Sequence, residues 1–136
     1  MLFILGGVVG LVEHQTNLTS EKVIGAAIEV HRWLGPGLLE SSYHLCMCRE
    51  LELRGIAYQS QVDLPLEYKG IDIGRGYVID LLVQDALIVE IKSVTKLLPI
   101  HCSQLMTYMR LSRVSAGLLI NFNVETLLKG LKRVLC

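Results

Sequence analysis

Tyr77-Val78-Ile79-Asp80-Leu81-Leu82-Val83, a break at Gln84-Asp85-Ala86, then Leu87-Ile88-Val89-Glu90-Ile91-Lys92 is the stretch that decides the fold. Two apolar runs flank turn-tolerant residues, which is the pattern of a β-hairpin. Three polar side chains interrupt it: Asp80, Glu90 and Lys92. Successive side chains on a strand point to opposite faces, so Glu90 and Lys92 share one face and Ile91 takes the other. A three-residue loop from Gln84 to Ala86 sets Asp80 directly opposite Glu90 on that face. A two-residue loop would shift the register by one and turn Asp80 away.

A hairpin this apolar on both faces is a buried strand pair. Burying two carboxylates and an ammonium there is costly unless they are paired or bind a metal. Two readings follow. Asp80 and Glu90 converging beside Lys92 make a hard-oxygen site for Mg²⁺ or Mn²⁺. Alternatively, Lys92 forms a structural salt bridge with Glu90 or Asp80 at a sheet end. The hairpin alone weighs the two about equally.

The 136 residues suffice for one domain with a real core, and 51% of them are hydrophobic. The 13 Lys and Arg balance the 13 Asp and Glu, so no overall charge announces nucleic acid. The distribution is uneven: residues 1–91 hold six Lys/Arg against twelve Asp/Glu, whereas residues 92–136 hold seven against Glu125 alone. Either the C-terminal segment offers a basic face to a polyanion, or the two halves neutralise each other in the fold. Cys46, Cys48, Cys102 and Cys136 include no CxxC pair, and two residues two apart on a helix face different ways. Reduced, mostly buried thiols in a cytoplasmic protein are expected. The apolar start, Met1 to Val12, is too short to span a bilayer and has no basic residue ahead of it. Stable membrane insertion is therefore not expected. Residues 1–17 read as an apolar N-terminal extension and 18–136 as a single domain.

In chain order, Thr19 or Ser20 can cap a helix from about Glu21 to Leu34, which Gly35-Pro36-Gly37 stops. His31 on it reads as a half-buried packing histidine. A second helix runs from about Leu38 to Arg54, with Glu40, Tyr43, His44 and Met47 on one stripe. That stripe either faces a polar pocket or lies at a boundary. Ala57 to Tyr68 alternates as a strand, and Pro65 argues for an edge position or a bulge. Lys69-Gly70 reads as a turn into the central hairpin. Pro99 can open a helix to about Arg113, on which Gln104 and Tyr108 are i, i+4 neighbours. Gln104 is either simply exposed or turned toward the hairpin acids. Ala116 to Ile120 is a buried strand, Asn123 a plausible cap for a short helix over Val124 to Gly130, and Leu131 to Leu135 a last edge strand. A helix between two strands implies a right-handed crossover, hence a mixed sheet covered on both faces.

Gly37-Leu38-Leu39-Glu40-Ser41-Ser42-Tyr43 spells G-x-x-E-x-x-Y, preceded by Ala26-Ala27-Ile28-Glu29-Val30-His31-Arg32-Trp33-Leu34-Gly35-Pro36-Gly37; Gly117-Leu118-Leu119-Ile120-Asn121-Phe122 follows near the end. From about Leu18 to Val134 the chain closely resembles the GxxExxY protein family, a branch of the PD-(D/E)XK nuclease superfamily. The resemblance implies an α/β fold with a restriction-endonuclease-like α/β/α core, its mixed central sheet flanked by helices. It also implies that Asp80 is the metal-binding aspartate and that Glu90-Ile91-Lys92 is the E-x-K. Glu40 would be the helical glutamate of RecB-type members, and Gln104 with Tyr108 their Q-x-x-x-Y. Ile79 departs from the pattern by standing where the name motif has proline, a residue the chemistry does not require.

The chemistry implied is phosphodiester hydrolysis in DNA or RNA. Asp80, Glu90 and the Ile91 carbonyl would hold Mg²⁺ or Mn²⁺, with Glu40 as a further ligand. Lys92 would orient the attacking water or stabilise developing negative charge. Gln104 and Tyr108 would position the phosphate or a base. The runner-up is a nuclease-fold protein that binds nucleic acid or a partner with little or no hydrolysis. A chain this short is expected to work as a homodimer or with a protein partner.

Overall fold

The computed structural model describes the backbone of residues 2–136 and the side chains of residues 14–136 other than Arg75. Two helices come first, α1 (Leu2–Leu34) and α2 (Glu40–Leu53). Three strands follow, β1 (Tyr58–Tyr68), β2 (Ile71–Val83) and β3 (Leu87–Lys92). Helix α3 (Pro99–Ser112) leads to β4 (Ala116–Asn121), a 3₁₀ turn (Leu127–Gly130) and β5 (Leu131–Leu135). The five strands lie in the order β1-β2-β3-β4-β5. The β3–β4 pair is parallel and the other three are antiparallel. Helix α3 is therefore the crossover that makes the sheet mixed.

The sheet has a helical layer on each face. Val23, Ala27, Tyr43 and Met47 from α1 and α2 pack with Leu81, Val89, Ile91 and Ile120. On the other face Leu105, Tyr108 and Met109 of α3 pack with Ile79, Ile88 and Leu119. Along β3, Leu87, Val89 and Ile91 go to the first cluster and Ile88 to the second, so the period of two is kept. Burying each such aliphatic side chain contributes about 1.5–3 kcal/mol. This is the α/β/α architecture expected of a restriction-endonuclease-like core.

The hairpin takes the register that the acids require. Pairs Leu81–Val89, Leu82–Ile88 and Val83–Leu87 leave Gln84, Asp85 and Ala86 as a three-residue connection. Gln84 and Asp85 both have positive φ, 52° and 53°, and Ala86 N–H closes the turn on the Val83 carbonyl at 3.0 Å. Pro65 lies on an edge strand at a register shift between Leu64 and Leu66, so both consequences of its missing N–H are present.

Four expectations need correction. The first helix does not start near Glu21. It runs unbroken from Leu2, and Thr19 and Ser20 lie inside it. Their hydroxyls donate back to the Gln15 and Thr16 carbonyls, each at 3.0 Å, which lets both residues sit mid-helix. Asn123 caps no helix, because the segment tightens only into the 3₁₀ turn, whose cap is Thr126. The cysteines are free, but Cys46, Cys48 and Cys102 are half-buried and Cys136 is exposed. Among the described residues no helix is long and apolar enough to cross a membrane. His31 is more buried than expected, with Nε2 2.7 Å from the Val124 carbonyl and the ring tilted against Phe122.

Candidate active site

The site forms where β2 and β3 stop pairing. Regular pairing ends at Leu81–Val89. One step beyond, Asp80 N–H donates to Glu90 Oε1 at 3.1 Å, and Ile91 N–H donates to Asp80 Oδ2 at 2.8 Å. Each carboxylate thus occupies a backbone donor that the ladder leaves open. Asp80 also lies at a break in the pleat. Ile79 packs on the α3 face and Leu81 on the opposite face, although strict alternation would put both on one side. On β1, Gln61, between the partners of Leu81 and Ile79, adopts φ 57°. Such irregularities re-aim a side chain, here the aspartate.

Glu90 is buried, with 4% of its surface exposed. Burial first, and then the negative charge of Asp80, push its carboxyl up from the ordinary 4.5 to about 8, against a weaker downward pull from Lys92. The donor set is oxygen only, and two adjacent carboxylates repel each other. A hard divalent cation would relieve that repulsion, so Asp80 and Glu90 fit such an ion. Ile91, whose carbonyl is the further donor that the resemblance implies, follows Glu90 in the chain and donates its N–H to Asp80. Glu40 stands apart: exposed on the first turn of α2, it accepts from Ser93 N–H at 3.3 Å. Among the described residues no three His, Cys, Asp or Glu side chains gather into a metal-holding group.

Lys92 pairs with neither acid. Its Nζ donates to Gln104 Oε1 at 3.2 Å, and Gln104 Nε2 donates to Tyr108 OH at 3.1 Å. The structural salt bridge considered for Lys92 is therefore not formed; the ammonium is tethered to α3. Burial and then the charge of Glu90 hold the Tyr108 phenol above its usual range, which keeps it a neutral partner for Gln104. Tyr77, Lys92, Gln104 and Tyr108 line a cleft of about 520 Å³.

The G-x-x-E-x-x-Y segment has a structural logic. Gly35 and Gly37 carry φ of 67° and 98°, conformations that favour glycine. Tyr43 stacks on Phe122 with ring centroids 4.5 Å apart. Its hydroxyl donates to the Gly35 carbonyl at 2.5 Å and accepts from Leu38 N–H at 3.2 Å. Tyr43 thus braces the loop that delivers Glu40, and Ser93 Oγ ties the same loop to β3 by donating to the Leu38 carbonyl at 2.6 Å.

One contributor had no role in the sequence reading. Asn121 is 2% exposed and holds Val94 from both sides: Oδ1 accepts from its N–H and Nδ2 donates to its carbonyl, each at 3.0 Å. Phe122 N–H adds a bond to the Lys92 carbonyl at 2.9 Å. The chain leaving Lys92 is therefore fixed. A buried amide ending the apolar run Ala116 to Ile120 was the available signal.

Among the described residues no C-terminal cation forms an ion pair with an N-terminal acid. Among the described residues the ion pairs are Arg32–Glu29, Arg49–Glu52 and Arg54–Glu50, all within residues 29–54. Arg110, Arg113, Lys132 and Arg133 remain exposed. Residues 17–134 match a family model described as the PD-(D/E)XK nuclease superfamily. No curated protein and no solved structure matches the chain.

Proposed function

Because this chain belongs to the PD-(D/E)XK nuclease superfamily, we propose that it is a divalent-metal-dependent nuclease of the GxxExxY branch, hydrolysing phosphodiester bonds of DNA or RNA. The observation that carries the reading is the Asp80–Glu90 pair, built at the end of a strand pairing, with the Lys92 ammonium bonded to Gln104 and in an ion pair with neither acid. A purely structural cluster would be expected to close Lys92 onto a carboxylate.

Asp80 and Glu90 would hold the ion, Mg²⁺ or Mn²⁺, with the Ile91 carbonyl as a further oxygen donor; Glu40 would join them only by giving up its bond to Ser93 N–H. When bound, the ion supplies Lewis acidity to a phosphate oxygen and lowers the pKa of water. Hydrolysis forms a bond from water oxygen to phosphorus, breaks a phosphorus–ester bond, and returns a proton to the leaving oxygen. Lys92 orients the water or carries the negative charge that accumulates on the phosphate. Gln104 keeps the ammonium in place, and Tyr108 keeps Gln104 in place. The exposed cations Arg110, Arg113, Lys132 and Arg133 give a polyanion an attractive surface.

A second reading draws on Glu40. With its carboxylate on Ser93 N–H rather than with the other two acids, the chain would be a nuclease-fold binder with little hydrolysis. Purified protein with labelled single-stranded DNA, duplex DNA and RNA separates the two. Metal-dependent cleavage that EDTA abolishes supports the nuclease. Retention of nucleic acid without cleavage in Mg²⁺ or Mn²⁺ supports the binder.

A further inference from the structure

The cleft beside Lys92 has a wall the hydrolytic reading leaves unused. Tyr77 contributes an aromatic ring that is 45% exposed, and Ile100, 66% exposed, contributes an aliphatic surface. His101 and Thr107 line it as well. His101 Nδ1 accepts from Leu98 N–H at 2.9 Å, so the neutral ring carries its proton on Nε2, free to donate. An exposed ring, an aliphatic side chain and a few polar donors next to an ammonium are what an unpaired base and its phosphate require.

We infer that this cleft receives one unpaired base, stacked on Tyr77, from the nucleotide next to the scissile phosphate, and that the substrate is accordingly single-stranded or frayed nucleic acid. The inference rests on the nuclease reading and deepens it. Size supports it: about 520 Å³ is room for a ligand of nucleotide scale, whereas a duplex keeps its bases stacked inside and cannot offer one without unpairing. Charge supports it too. With zero net charge, the attraction to a phosphate backbone is confined to local groups of exposed cations, so a stacking contact adds affinity that a closed duplex cannot use.

The test is fluorescence anisotropy of the full chain with a labelled single-stranded oligonucleotide and with a blunt hairpin of the same length whose two strands are joined by a non-nucleotide linker, so that it presents no unpaired base. Binding is read in EDTA and cleavage separately in Mg²⁺. Tyr77→Ala should weaken single-strand binding about tenfold and leave hairpin binding unchanged, while Tyr77→Phe should retain single-strand binding. Hairpin bound or cleaved as well as the single strand, or single-strand binding indifferent to Tyr77→Ala, overturns the inference while leaving metal-dependent cleavage standing. No cleavage of any substrate, with Tyr77-dependent binding intact, overturns the hydrolytic reading and keeps the base site. No binding of either probe overturns the base site.

Discussion

Asp80 and Glu90 meet where two strands part, and each carboxylate takes a backbone N–H that the sheet no longer uses. The pair is therefore structural and electrostatic at once, and substitutions separate the two roles. Asp80→Asn keeps an oxygen acceptor for Ile91 N–H and removes the charge. It should fold normally and lose on the order of 10²-fold or more in cleavage rate. Asp80→Ala also strands that N–H, which should lower stability by about 1–3 kcal/mol. Equal denaturation midpoints for the two variants would show that the hydrogen bond carries no stability.

The raised Glu90 carboxyl predicts an unusual pH profile for the metal-free protein. Folded Glu90 keeps its proton up to about pH 8, whereas the unfolded chain releases it near 4.5. Between those values the folded state binds more protons, so stability falls as pH rises across that window. Glu90→Gln should flatten this slope. Urea midpoints in EDTA at several pH values measure both; a wild-type profile flat from pH 5 to 8 would show that Glu90 is not held protonated.

Lys92 and Gln104 should differ in degree. Lys92→Ala removes the ammonium and should reduce the cleavage rate on the order of 10²-fold. Gln104→Ala only loosens its tether and should cost about tenfold. Rates measured at saturating substrate rank the two, and a larger loss for Gln104→Ala would reverse the assignment.

Two glycines carry the packing of β4 and its neighbours. A Cβ on Gly130 would lie 2.0 Å from the Asn121 carbonyl oxygen, a backbone atom that cannot rotate away. One on Gly117 would meet Met109 Sδ at 2.7 Å and Leu105 Cδ1 at 2.8 Å, both on flexible side chains. Gly117→Ala should cost about 1–3 kcal/mol through overpacking. Gly130→Ala should cost more and disturb Asn121, hence the segment after Lys92. Thermal melts of both variants check the order.

Much of this was legible in the sequence because it follows from local periodicity. The apolar runs around Gln84-Asp85-Ala86 mark the hairpin and leave its register to the loop length, and the three-residue loop is the alternative that brings Asp80 beside Glu90; Pro65 and Pro99 mark an edge or bulge and a helix start. What stayed hidden depends on tertiary context. Thr19 and Ser20 have the chemistry of caps, yet back-bonding to Gln15 and Thr16 lets α1 run through them. The pleat break between Ile79 and Leu81 has no pattern of its own, since every residue around it is apolar. The tether of Lys92 to Gln104 joins elements twelve residues apart and needs the crossover to exist first.

The most direct test of the central claim is a calorimetric titration of Mn²⁺ into the wild-type protein and Asp80→Asn. The account predicts saturable binding to the wild type and at least tenfold weaker binding to the variant, because the charge of one oxygen donor is lost. Equal binding to both proteins, or none to either, would contradict it and leave Asp80 and Glu90 as a hydrogen-bonded device that ends a strand pair.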